Sequence, residues 1–174
     1  TRQYQLLLEN EYQHCFYNLL ANVEDISVST SKIDLATTPS QSSKLLSDIW
    51  WQANMAEDNL AAIPLSNEAF DKLESLLNHT GDYCNAMSKL TMEGATLSEE
   101  QQENIVTLGK NIAAVSDELH QIEEQVNSGQ LRFVTAHQDL RNSNQEQSRY
   151  QPGDATTVAA EEKGQNSTGE EKAA

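Results

Sequence analysis

Between Leu45 and Ser66 the chain reads LLSDIWWQANMAEDNLAAIPLS, which keeps one apolar spacing for about five helical turns and closes on a proline. Leu46, Ile49, Ala53, Ala56, Leu60 and Ile63 recur in steps of three and four, which places them on one stripe of an α-helix rather than on one face of a strand. Pro64 ends the run, because proline has no amide hydrogen to donate and its ring clashes with the preceding turn. Upstream, Thr38-Pro39 reads as an N-cap followed by proline at the first helical position. At about 100° per residue, Trp50 lies at the edge of the apolar stripe and Trp51 almost opposite it. An indole on the outer side of a helix either meets a second layer of structure or stands in water.

A helix with one apolar stripe needs partners, and the rest of the chain supplies them. From about Arg2 to Thr37, Tyr12, Leu19, Ile26 and Ile33 repeat every seven residues, with Leu8, Cys15, Phe16 and Val23 between them, which predicts a long helix with a narrow coiled-coil-like seam. Ser27, Ser29, Thr30 and Ser31 weaken its second half, since small polar and β-branched residues hold a helix poorly without packing. A third segment, capped by Ser66, carries Phe70, Leu73, Leu77, Thr80, Cys84 and Met87, with Leu65 set to pack on Phe70. Gly81 lies inside it; a mid-helix glycine costs about 1 kcal/mol relative to alanine, so a close helix approach is expected there. Gly94 closes that segment, a Ser98-to-Gln101 capping box opens the next, and Ile105, Leu108, Ile112, Val115, Leu119, Ile122 and Val126 form the cleanest heptad row, ended by Gly129. The fold expected is all-α: an elongated antiparallel bundle of four long helices over residues 1–142, with a short fifth helix from Leu131 to about Leu140. Residues 143–174 hold almost nothing apolar and read as a disordered tail or linker.

Charge narrows the function. The 174 residues carry 27 acidic against 11 basic side chains, a net charge of −16 at pH 7 and a pI of about 4.4, so most of the surface repels nucleic acid and anionic lipid. No run of about 18 apolar residues is present, and any membrane association would run through an anchor outside this sequence. Thr1 is not a methionine and helical spacing starts at once, which leads us to expect an upstream signal or anchor.

Catalytic chemistry is sparse. Glu11-Tyr12-Gln13-His14 matches the Glu-x-x-His of carboxylate-bridged di-iron bundles, and Asp117-Glu118-Leu119-His120 comes close. Helical phase opposes both, turning His14 and Asp117 about 150° from their apolar stripes, so no metal site is expected. Cys15 and Cys84 fall on apolar stripes, where free cysteines act as small hydrophobes; the alternative is a disulfide joining the first and third helices of an exported domain. His79 and His137 lack partners at ligand spacing, and Glu99-Glu100 and Glu123-Glu124 diverge around their helix as solvated faces. Asn78-His79-Thr80 and Asn166-Ser167-Thr168 fit a glycosylation acceptor, a pattern that also arises by chance. No nucleophile elbow, phosphate loop or zinc signature occurs. The residues alone therefore describe a non-enzymatic helical scaffold with no catalytic residue, metal or cofactor.

Three motifs in order carry a more specific message. Leu46-Ser47-Asp48-Ile49-Trp50 running to Leu60-Ala61-Ala62-Ile63-Pro64-Leu65, then Leu77-Asn78-His79-Thr80-Gly81-Asp82-Tyr83, then Leu97-Ser98-Glu99-Glu100 resemble the N-terminal helical region of the YpeB family of spore germination proteins, over about Leu8 to Leu140. The resemblance implies a preceding membrane segment, following PepSY-type repeats and no catalytic activity. It implies a partner as well: the cortex-lytic enzyme SleB, each protein supporting the other's presence in the spore, at the outer face of the spore inner membrane toward the cortex. Under it Trp50, Pro64, Gly81 and Tyr83 are structural. Trp51 stands where a basic residue is expected and Phe133 where a tryptophan is expected. These two are the candidate partner contacts, with Phe133 able instead to fold back over Trp51. The competing expectation is an extracytoplasmic sensor or scaffold bundle for another ligand or protein, and a homodimer through the first helix is a further option.

Overall fold

Thr38 decides where the central helix begins: its hydroxyl accepts a hydrogen bond from the Gln41 amide at 3.2 Å, with Pro39 at the first helical position. In the computed structural model, which describes residues 1–149, this helix is the second of five: α1 (Arg2–Ser31), α2 (Pro39–Ala62), α3 (Glu68–Met92), α4 (Glu99–Asn127) and α5 (Phe133–Arg149). The fold is all-α, with no strand among the described residues. Thr1–Gln138 makes up one compact unit; a second begins at Asp139, and its described part is the helical stretch to Arg149.

Cross-helix contacts set the topology. Ser47 and Ser88 hydroxyls bond at 2.8 Å while Ala53 faces Gly81, so α2 and α3 run antiparallel. Tyr83 with Asn104, and Lys72 with Glu118, run α3 against α4. Tyr17 with Asn127, Glu24 with His120, and Thr30 with Gly109 bring α4 back antiparallel to α1. Between α1 and α2, Asn59 donates to Asn22 Oδ1 at 2.9 Å and Asn22 donates to Gln52 Oε1 at 3.0 Å. Inside the ring the expected rows meet: Leu19, Val23, Ile26, Leu46, Ile49, Ala53, Leu73, Leu77, Ile105, Ile112 and Leu119 are all buried.

Four local expectations are corrected. The α-helix of the first segment stops at Ser31 and not Thr37, followed by a 3₁₀ turn over Ile33–Leu35. Thr30 and Ser31 hydroxyls bond back to the carbonyls of Ser27 and Val28, a local competition that loosens a helix end. Asn67, not Ser66, caps α3, its side-chain oxygen accepting from the Ala69 amide at 2.7 Å. The fifth helix starts at Phe133 rather than Leu131 and continues to Arg149, so residues 143–149 are helical where disorder was expected. Extending an existing helix fixes one residue per added hydrogen bond, and the Gln, Glu and Arg of this stretch are good helix formers. The expectation of a disordered tail over residues 150–174 lies outside the described residues. No described helix is long and apolar enough to cross a membrane.

Candidate functional site on the outer face of α2

On α2 the apolar stripe turns inward and leaves Lys44, Asp48, Trp51, Met55 and Asp58 on the opposite side. Trp51 is 60% exposed and Met55, one turn later, 39%. Trp50 sits between core and solvent, its Cδ1 3.9 Å from where a Cβ on Gly81 would stand. Ala53 Cβ is 3.4 Å from the same point, an ordinary contact distance, so α2 and α3 meet at Gly81 without the tight approach that would exclude an alanine. Pro64 follows the end of α2, and Ile63 before it is extended at φ −92° and ψ 119°, the region a following proline imposes.

Phe133 does not cover Trp51. It is wholly buried, with its ring centroid 5.6 Å from that of Phe16, which lies 6.4 Å from Phe70. A side chain so placed offers nothing to a partner, which corrects its candidacy as a contact residue. The reason is Glu9, a carboxylate only 3% exposed, which accepts hydrogen bonds from the Phe133 amide at 3.2 Å and the Val134 amide at 2.9 Å. Glu9 thus acts as the N-cap of α5 from a distant helix, meeting amides that have no partner within their own first turn. Gln13 Nε2 donates to the same carboxylate at 3.0 Å. The one sequence signal for this role is position: Glu9, Phe16, Val23 and Thr30 are spaced by seven and all four are buried.

Two turns beyond the tryptophans, α2 and α3 part into a cleft of about 350 Å³. Leu60, Leu65 and Phe70 provide its apolar surface, and Glu57, Asp58, Asp71, Glu74 and Asn78 its polar surface. Burial, then the neighbouring charges of Asp82, Asp58 and Glu74, raise the Glu57 carboxyl above its usual range. Among the described residues no ion pair reaches these carboxylates; Lys72 turns to Glu68 at 3.6 Å and Glu118 at 3.8 Å. The last turn of α2, whose carbonyls carry partial negative charge, holds no basic residue.

Elsewhere the remaining candidates fall apart as sites. Glu11, His14, Asp117 and His120 are exposed. His120 lies 3.0 Å from Glu24 and 3.1 Å from Glu123, a surface link between α1 and α4. Cys15 is half-buried and Cys84 fully buried, and both are free thiols; burial pushes the Cys84 thiol up to about 12, which keeps it protonated and inert. Tyr83 is half-buried and its hydroxyl accepts from Asn104 at 3.2 Å. Of the Asn78-His79-Thr80 acceptor pattern, Thr80 is wholly buried inside α3 with its hydroxyl unpartnered; Asn166 lies outside the described residues.

Comparison with known proteins places the sequence among sporulation proteins. Over 126 residues, 72% of this chain and 28% of the relative, the sequence is 24% identical to sporulation protein YpeB of Bacillus subtilis (strain 168). Over 133 residues, 76% of this chain and 30% of the relative, it is 19% identical to sporulation protein YpeB of Halalkalibacterium halodurans. The chain therefore spans less than a third of the length of these curated relatives. No solved structure matches it significantly. Residues 1–135 match the family model described as YpeB N-terminal, so the chain belongs to the YpeB N-terminal family, whose matched relatives are sporulation proteins.

Proposed function

We propose that this chain is the non-enzymatic helical partner domain of a spore germination protein, which binds a SleB-like cortex-lytic hydrolase and stabilises or restrains it at the outer face of the spore inner membrane, supporting cortex peptidoglycan breakdown at germination. The observation that carries the reading is Trp51, 60% exposed on the outer side of a helix whose inner side is fully packed. Folding alone gives no reason to hold a large indole in water, and tryptophan is the residue most enriched where partners dock. Met55 extends the apolar surface by one turn and can adapt its shape to a partner. Family membership supplies the sporulation setting.

The test is co-purification of the full-length protein with the SleB-like enzyme, comparing wild type with Trp51→Ala. Loss of a central tryptophan contact weakens binding by about 2 kcal/mol, roughly 30-fold. Unchanged affinity removes Trp51 from the interface; absence of any complex with wild type removes the pairing itself.

A further inference from the structure

The α2 surface has a second component that specifies what its partner looks like. Trp51 and Asp58 are seven residues apart and Met55 is three before Asp58, so Trp51, Met55 and the Asp58 edge of the acidic cleft lie along the outer side of the helix, while Trp50 and Glu57, also seven apart, lie on its flank toward α3. The geometry points to a basic amphipathic segment of a protein partner, its apolar side chains on Trp51 and Met55 and its lysine or arginine heads in the cleft of Glu57, Asp58, Asp71 and Glu74. This inference rests on the outer face of α2 being the partner surface and names the chemistry that fits it.

Charge complementarity selects the occupant. An acidic segment would add to carboxylates that no ion pair among the described residues offsets. A purely apolar one would strip water from them without giving a partner in return. Lysine and arginine meet both halves of the lining, because their aliphatic stems lie on apolar surface while the charged heads reach carboxylates. Leu60, Leu65 and Phe70 offer that surface beneath the acidic walls. A bare divalent ion fits less well, since no group of three ligating side chains among the described residues converges on one point. Free polyamines would leave Trp51 and Met55 unused, whereas an amphipathic chain covers them along with the cleft.

Titrating the whole protein with a short leucine/lysine amphipathic peptide, followed by tryptophan fluorescence, tests the inference directly, because Trp50 and Trp51 are the only tryptophans. Saturable binding is expected, with no binding of the matching leucine/glutamate peptide. The triple variant Glu57→Gln, Asp58→Asn, Glu74→Gln should bind about tenfold more weakly, three solvent-accessible pairs each contributing a fraction of that factor. A control of equal charge change, Glu99→Gln, Glu100→Gln, Glu103→Gln at the start of α4, should bind like wild type. Circular dichroism confirms that both variants keep their helices. Equal weakening in both variants would mean that overall charge alone attracts the peptide, and an unaffected cleft variant would place the cations elsewhere; either result overturns the inference. The two readings fail separately. If the hydrolase co-purifies through Trp51 while the cleft variant binds the basic peptide normally, the cleft is wrong and the partner reading stands; the reverse pattern keeps the cleft and removes the hydrolase.

Discussion

Along α1 and α4 a Cβ on Gly109 would stand 1.9 Å from Thr30 Oγ1 and 2.6 Å from Thr30 Cβ, whereas along α2 and α3 a Cβ on Gly81 would meet Ala53 Cβ at 3.4 Å. At the first seam a β-branched side chain fills the groove that glycine leaves, so the space is already used. At the second, two small residues face each other at ordinary contact distance. Mid-helix glycines therefore carry different meanings even within one bundle: Gly109 is required by its neighbour, while Gly81 permits an approach that alanine would also allow.

Gly109→Ala should break the α1/α4 seam. Overpacking costs about 3 kcal/mol and the better helix propensity of alanine returns about 1 kcal/mol, leaving a net loss of about 2 kcal/mol. Urea denaturation reads this as a lower midpoint at unchanged slope. Thr30→Ala in the same chain should recover only part of the loss, since Thr30 Cβ at 2.6 Å from the new methyl remains. A variant as stable as wild type would show that the helices can separate there at no cost.

Glu9→Ala asks whether the α1 side is also held at its other end. It strips the Phe133 and Val134 amides of their acceptor, and an N-cap loss of this kind costs about 1 to 2 kcal/mol. Amide hydrogen exchange should quicken at the start of α5 more than in α2 or α3. Uniform exchange throughout would place the cost on the bundle as a whole and not on the cap.

The contrast between these residues explains which features of the chain were legible beforehand. Caps at Thr38 and Ser98, the stop before Pro64 and the apolar rows were readable because each depends on residues within one or two turns. Trp51 was readable as outward-facing for the same reason, although its exposure waited on what lay above it. Glu9 and Gly109 were not readable, because their roles depend on the amides of Phe133 and Val134 and on Thr30, residues far away in sequence. Gly109 carries the same local mark as Gly81, a glycine inside a heptad row, and only its neighbour tells them apart. Phe133 failed as a contact residue for a related reason: an apolar side chain announces burial without naming its partner. The cleft acids are not legible as a set in the sequence, because α2 and α3 each contribute only part of it.

Gly81→Ala sharpens the comparison from the permissive side. A methyl at 3.4 Å from Ala53 Cβ fits with little adjustment, so helix propensity dominates and the variant should gain about 0.5 kcal/mol. A loss as large as that of Gly109→Ala would erase the distinction between the seams.

Glu57→Gln carries the smallest effect and separates the acidic α2/α3 surface from the rest by its pH dependence. Burial and the charges of Asp82, Asp58 and Glu74 raise the Glu57 carboxyl above 4.5, so the folded protein holds this proton more firmly than the unfolded chain does. The stabilisation from that proton is complete below the ordinary value and is lost as pH rises through the raised one. Glutamine keeps the neutral shape at every pH. The variant should therefore match wild type in acid and become more stable as pH climbs past the carboxylate range, levelling off toward neutrality. Glu57 is only partly buried, so solvent screening limits the gain to about 0.3 kcal/mol, readable as a difference in thermal midpoint that opens between acidic and neutral buffer. A gain that is constant across pH would assign the effect to helix propensity, and a loss at neutral pH would mean that Glu57 is held by a favourable contact and not crowded by like charge.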